Sequence, residues 1–243
     1  MVANDLAQRI PDEDVAAKRA EALDGVLHHA SPSEVIESAL RIVGRERLAL
    51  VSSFGTESAA LLKLMAEVDP AIPVIFLDTG WLFEETLAYR DRLIAALGLR
   101  DVRSIRPLDE ALQREDPNGE LWFSDPDACC RIRKVEPLKR ALAPFDAWIN
   151  GRKRFQGGLR GAIPVVEADG LRLKFNPFAN VKPADIAAIY AQAELPPHPL
   201  TASGFLSVGC MPCSSRAQPD EDARDSRWRG RPKSECGIHT VKT

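Results

Sequence analysis

Apolar positions along the chain follow two rhythms. In "SPSEVIESALRIV", Val35, Ile36, Leu40 and Val43 recur at helical spacing, and Ser31 stands three residues before Glu34, the spacing of a capping box. Short unbroken apolar runs then alternate with longer periodic ones. "RLALVSS" predicts a buried strand and "TESAALLKLMAEV" a helix; "IPVIFLDTG" predicts a second strand and "LFEETLAYRDRLIAALG" a second helix that stops at Gly98. "DVRSIRP" and "DAWIN" read as a third and a fourth strand. Between them, Asp125 or Asp127 is placed to cap a helix carrying Cys129 and Cys130. "IPVVEADGLRLKFNPF" predicts a hairpin turning at Asp169–Gly170, "KPADIAAIYAQAE" a further helix, and "LPPHPLTASG" a proline-rich loop. Strands alternating with helices imply an α/β fold, a mostly parallel sheet with helices on both faces. From "SVGCMPCSSR" onward core-forming periodicity stops and the chain becomes a polar, cysteine-bearing tail. The expected division is an N-terminal helical segment (1–45), an α/β domain (46–205) and a C-terminal tail (206–243), with no internal repeat.

The 243 residues suit one large α/β domain with an appendage, and a 45% hydrophobic content can build its core. A formal net charge of −3 argues against a general nucleic-acid binder, although Lys and Arg cluster locally. No apolar run is long enough to span a bilayer, and the charged start lacks the apolar stretch of a secretory signal. The expectation is a cytoplasmic protein with free thiols and no structural disulfides. Its cysteines fall into two close pairs, Cys129–Cys130 and Cys210–Cys213, plus Cys236 alone. That grouping suits a four-ligand metal site and a separate reactive thiol. Adjacent cysteines fit one tetrahedral ion poorly, whereas a cubane offers one iron per sulfur; the spacing favours a [4Fe–4S] cluster over zinc, and zinc over no metal.

Two loops lie where strands end. "VSSFGTES" places small residues and hydroxyls between a strand and a helix N-terminus, a setting for an anion, though it lacks the usual Gly-Lys-Ser/Thr ending. "DTGWLFEET" would sit beside it at the same rim of the sheet. Basic residues follow: Lys134 one turn from Cys130; Arg152, Lys153 and Arg154 in "GRKRFQ"; Arg224 and Arg227 in "ARDSRWRGR". Each alone is a solvated surface patch; together, near the cysteines, they suit a small polyanion. Cys236, on a polar tail beside His239, has the access a reactive thiol needs.

The set "CCRIRKVEPL … CMPC … RDSRW … ECGIH" resembles the assimilatory adenylyl-sulfate (APS) reductases, within the phosphoadenylyl-sulfate (PAPS) reductase family, over roughly residues 48–239. The resemblance implies an adenine nucleotide α-hydrolase-like fold. It implies Cys236 as nucleophile, with Cys129, Cys130, Cys210 and Cys213 holding a [4Fe–4S] cluster. It implies that the substrate is held by Ser52, Ser53, Phe54, Gly55, Thr56, Glu57, Ser58, Asp78, Thr79, Lys134, Lys153, Arg154, Arg224, Arg227 and His239. One departure is "GRKRFQ", where many relatives have an Arg-Arg pair followed by an acidic residue and Gln, whereas Phe155 follows Lys153–Arg154 here. Without a fused thioredoxin-like domain, electrons are expected from an external thioredoxin or glutaredoxin. The expected reaction is reduction of APS to sulfite and AMP through an S-sulfocysteine. Three alternatives stay open: the same chemistry on PAPS or on both nucleotides, an ATP-pyrophosphatase-type adenylating enzyme with structural zinc, and a non-catalytic redox sensor. The oligomeric state is open too, a homo-oligomer included.

Overall fold

The computed structural model describes residues 10, 12–231, 233 and 235–239. Parts of the expected end segments, residues 1–9 and 11 and residues 232, 234 and 240–243, therefore lie outside the described residues. Helix α1 (Glu13–Leu27) is capped by Asp12, whose carboxylate accepts from Val15 N at 2.8 Å. Helix α2 (Pro32–Val43) begins with the Ser31–Glu34 capping box. The core then runs β1 (Leu48–Val51), α3 (Ser58–Val68), β2 (Val74–Leu77), α4 (Glu84–Leu97) and β3 (Val102–Ile105), with left-handed Gly98 ending α4. Three short helices follow, α5 (Asp109–Glu115), α6 (Leu121–Ser124) and α7 (Pro126–Cys130). Asp125 caps α7 by accepting from Asp127 N and Ala128 N. Helix α7 runs on through a π-helical turn, Arg131–Val135, into α8 (Glu136–Leu142). The chain closes the sheet with β4 (Ala147–Ile149), β5 (Val166–Asp169) and β6 (Arg172–Phe175), then α9 (Pro183–Gln192).

The six strands lie in the order β3-β2-β1-β4-β6-β5, parallel except for the β5–β6 hairpin. Asp169 pairs with Arg172, so the hairpin turns on Gly170 and Leu171, one residue later than the sequence suggests. Gly170, at φ 59°, supplies the positive φ of that two-residue turn. Alternation along β1 sends Leu48 and Leu50 into one core with residues of α1, α2, α3, α4 and α9. Ala49 and Val51 enter a second core with Leu138 and Leu142 of α8. The sheet is thus covered on both faces. Edge strand β5 is blunted by α1, whose Asp24 carboxylate accepts from the N–H groups of Val165 and Val166. No helix among the described residues is long and apolar enough to cross a membrane.

The polar tail packs without helical periodicity. Its buried members include Val208, Cys210, Cys213, Ser226, Arg227, Trp228, Glu235 and Gly237. Short 3₁₀ turns at Met211–Cys213 and Gly237–His239 are its helical structure among the described residues, and a further one at Pro199–Ser203 lies in the proline-rich loop before it. Strand direction reverses its lateral progress at β1, with β2 on one side and β4 on the other. In open α/β sheets that switch point opens a crevice beyond the carboxyl ends of the strands.

Candidate active site

A cavity of about 410 Å³ occupies that crevice. The loop after β1 forms one wall. Its anchor is Phe54, held at φ 48° and wholly buried edge-to-face against Phe76. With Phe54 in the core, Ser52, Ser53, Gly55, Thr56, Glu57 and Ser58 line the cavity. Ser58 Oγ accepts from Gly55 N at 2.9 Å, and Thr56 Oγ1 donates to Leu206 O at 2.9 Å, tying the loop to the tail. Phe54 is therefore a core anchor and not a lining residue. Asp78 also stays off the cavity. It accepts from Gly80 N and Arg106 Nε and shapes the turn after β2. Its neighbour Thr79 does line the cavity, with Oγ1 3.2 Å from Cys210 Sγ.

The loop after β4 supplies cations. Arg152 and Lys153 face the cavity, whereas Arg154 turns away to donate to Ile163 O and Asn180 Oδ1. The inward pair is shifted one residue from the expected Lys153–Arg154. Arg160 and Gln156 also line the wall. These cations have carboxylate partners: Lys153 meets Glu57 at 2.8 Å, Arg152 and Lys174 meet Glu167, and Arg160 and Arg224 meet Glu235. Burial, with Arg160 nearby, pushes both Arg152 and Arg224 down to about 10. Burial likewise lowers Lys153, against the pull of Glu57. Burial disfavours charge on Glu235 as well, but its hydrogen bonds from Arg160 outweigh that and hold its carboxyl at about 2.

The tail returns over this wall. Arg227 donates from Nε to Cys213 O at 2.8 Å, and the guanidinium groups of Arg224 and Arg227 lie 5.3 and 4.7 Å from the Trp228 ring centroid. Gly209 is a close-approach position, since a Cβ there would sit 2.3 Å from the Arg227 guanidinium. Gly237 is another; a Cβ would meet Val135 at 3.1 Å and Cys130 at 3.5 Å, so the end of the tail seats directly on the π-helical turn. Half-buried Cys236 lines the cavity there with Lys134 and His239. The Cys130 thiol donates to Cys236, and this bond together with the nearby Lys134 ammonium holds the Cys236 thiol well below its ordinary pKa against the cost of burial. Burial opposes the Lys134 charge, yet negative charge on the sulfurs of Cys210, Cys236 and Cys130 prevails and raises its pKa. His239 lies parallel to Trp148 at 6.2 Å, and its buried Nδ1 has no hydrogen-bond partner. Burial, then Lys174 and the arginines, hold it neutral.

The remaining cysteines divide three and one. Cys129, Cys210 and Cys213 are buried within electrostatic reach of one another, and burial pushes Cys129 up to about 11 and raises Cys213. Cys210 and Cys213 pack with Trp228, Trp81 and Leu82. Met211 N donates to Trp81 O at 2.7 Å, which locks the Cys-x-x-Cys loop to the turn after β2. Among the described residues no three or more His, Cys, Asp or Glu side chains converge on a single metal ion. Cys130 follows Cys129 at the end of α7, and thiols are the donors that iron–sulfur sites take. Sequence reasoning missed Arg160, Lys174 and Glu235. Arg160 and Glu235 meet across 75 positions, and Lys174 meets Glu167 across the β5–β6 hairpin, so neither contact shows as a local basic cluster.

The phosphoadenosine phosphosulfate reductase domain matches residues 47–216. The chain is 52% identical to an adenosine 5′-phosphosulfate reductase of Mesorhizobium japonicum over 94% of this chain and 89% of the relative. It is 42% identical to a phosphoadenosine 5′-phosphosulfate reductase of Gloeobacter violaceus, over 86% of this chain and 88% of that one. Among solved structures, a phosphoadenylyl-sulfate reductase from Candida auris in a phosphate complex superposes with a TM-score of 0.68 at 24% identity, covering 80% of this chain and 95% of that one. This last likeness speaks to the fold, the adenine nucleotide α-hydrolase-like arrangement expected from the sequence.

Proposed function

The chain belongs to the phosphoadenosine phosphosulfate reductase family, and from that premise we propose that it reduces adenylyl sulfate to sulfite and AMP in sulfate assimilation. The observation that carries the reading is geometric: Cys236 lines one cavity together with Lys134, Arg224 and Arg227. The Cys236 thiolate attacks the sulfur of APS. The bond from that sulfur to the phosphate oxygen breaks, AMP leaves with the electron pair, and the enzyme carries an S-sulfocysteine. A thiolate of thioredoxin or glutaredoxin then attacks Cys236 Sγ. Sulfite leaves with the electron pair, and the donor's second thiol resolves the mixed disulfide. Lys134 and the arginines offset repulsion between an anionic nucleophile and an anionic substrate, and they stabilise charge on the departing phosphate. Neutral His239, with its free Nδ1, offers a hydrogen bond to the nucleotide.

Cys129, Cys130, Cys210 and Cys213 would hold a [4Fe–4S] cluster. When bound, it would take these residues as thiolates and set a fixed negative charge beside Lys134. APS is favoured over PAPS because Glu57, Glu167 and Glu235 already neutralise cations around the cavity, which suits the substrate with fewer negative charges. Intact-mass spectrometry is the test. Given APS without reductant, the protein should gain one sulfonate on Cys236 and release one AMP, and reduced thioredoxin should then free sulfite and restore the thiol. Cys236→Ser should bind APS and form no adduct. An adduct on another cysteine, or an active Cys236→Ser, would sink the mechanism, and faster turnover of PAPS would reverse the substrate assignment.

A further inference from the structure

Glu235 stands one residue before Cys236 and is only 6% exposed. Its carboxylate collects four donors. Oε1 accepts from Arg160 Nη2 at 2.8 Å, from Arg224 Nη2 at 2.9 Å and from the backbone N–H of Cys236 at 2.8 Å. Oε2 accepts from Arg160 Nε, which completes a bidentate clamp. Arg160 is held in turn by Gln156 Oε1, and both arginines line the cavity. The other holds on this end of the chain are of a different kind. Gly237 seats on the π-helical turn, Ile238 packs against the second core, and His239 lies over Trp148. Those contacts are apolar or steric; the polar ones are local to the turn, where His239 N donates to Cys236 O at 3.0 Å, whereas Glu235 ties the Cys236 N–H to side chains from distant segments.

We infer that Glu235 is a positioning residue, the latch whose clamped carboxylate holds the Cys236 segment closed over the cavity and whose release lets that segment swing out. The inference rests on the reading of Cys236 as nucleophile. The carboxylate that grips the two arginines also accepts from the Cys236 N–H, so the clamp and the orientation of the thiol-bearing residue are one unit. The same clamp occupies two arginines that also face the cavity. Removing the negative charge therefore acts in opposite directions: it frees cations for an anion in the cavity while it loosens the nucleophile. A side chain that merely filled space would not separate binding from chemistry in this way.

The test is Glu235→Gln, close to isosteric, with three readouts. AMP affinity should be equal to or tighter than wild type. AMP release from APS in a single turnover without reductant should slow by on the order of 10²-fold, as for a displaced reacting group. Alkylation of Cys236 by iodoacetamide in substrate-free protein, mapped by peptide mass, should be faster than in wild type. Arg160→Lys keeps the charge but loses the bidentate grip, and it should speed alkylation too; it takes the place of Glu235→Gln if that variant does not fold. Adduct formation at the wild-type rate, or alkylation unchanged, would overturn the latch. If wild-type protein itself releases no AMP from APS, the proposed function fails, while the alkylation arm still decides whether Glu235 holds the segment.

Discussion

Lys134 has the most demanding position of any single side chain here. It lies on the π-helical turn, a geometry that recurs at functional sites because it re-aims side chains within a continuous helix. From there its ammonium lies within electrostatic reach of Cys210, Cys236 and Cys130. Lys134→Ala should cut turnover by about 10²-fold, the usual loss for one preorganised charge, with the iron content of the purified protein unchanged. Steady-state kinetics beside an iron assay checks both halves, and wild-type turnover would make Lys134 a bystander. Lys134, Arg224 and Arg227, which the family resemblance singles out, all line the cavity, although each alone reads in the sequence as a solvated surface patch. The pairing of Arg160 with Glu235 was not legible in the sequence, because it spans 75 positions, and the "ECGIH" stretch that contains Glu235 says nothing of its partner. Phe54 differs from its loop neighbours: its ring is buried at a positive φ and anchors the loop, a role that an apolar residue inside a polar stretch does not announce.

At the scale of elements, the strands and long helices were legible because each buries one face and so carries its period in the sequence. Helices α5 and α6 and the π-helical turn were not, since they are short and shaped by contacts such as Arg133 Nη1 donating to Thr79 O and Nη2 meeting Asp116. The hairpin strand β6 hides a consequence that no pattern reveals. Its Lys174 is only 4% exposed, 4.8 Å from the Trp148 ring centroid and 3.3 Å from Glu167. Burial, reinforced by Arg152, pushes its ammonium down to about 7. In the unfolded chain a lysine titrates near 10.4, so from about pH 7 to about pH 10 the unfolded state binds a proton that the folded state lacks. Stability from this group must rise with pH through that window. Below about pH 7 both states are protonated and the full burial penalty remains. Lys174→Met removes the titration, so the wild-type Tm minus the variant Tm should increase from about pH 7 to about pH 9. A pH-independent difference would mean that Lys174 stays charged in the fold. Taking the difference removes the contributions of the thiols, which titrate in both proteins.

At the scale of the whole molecule, the cavity is assembled from segments distant in the chain: the loop after β1, the turn holding Lys134, the loop after β4, and the tail from Leu206 to His239. The tail has little apolar periodicity of its own, so its docking could not be read as an element. Its attachment runs through the cysteine loop. Cys213 O accepts from both Arg227 Nε and Trp228 N, and Ser214 and Arg227 form an isolated bridge. Whatever fixes Cys210 and Cys213 therefore also fixes the platform that carries Arg224, Arg227 and, beyond them, Cys236. If the proposed cluster is that element, ligation is part of the folding energy of the tail. Cys213→Ser should then lose iron, melt at a lower temperature, and expose Cys236 to faster alkylation even before any nucleotide is added. The linked change in the third readout is the informative one, because a cluster that served the reaction alone would leave the tail's protection intact. Wild-type protein purified without iron yet fully active would remove the cluster from the account, and Cys213→Ser with normal Cys236 protection would separate the cysteine loop from the closing of the tail.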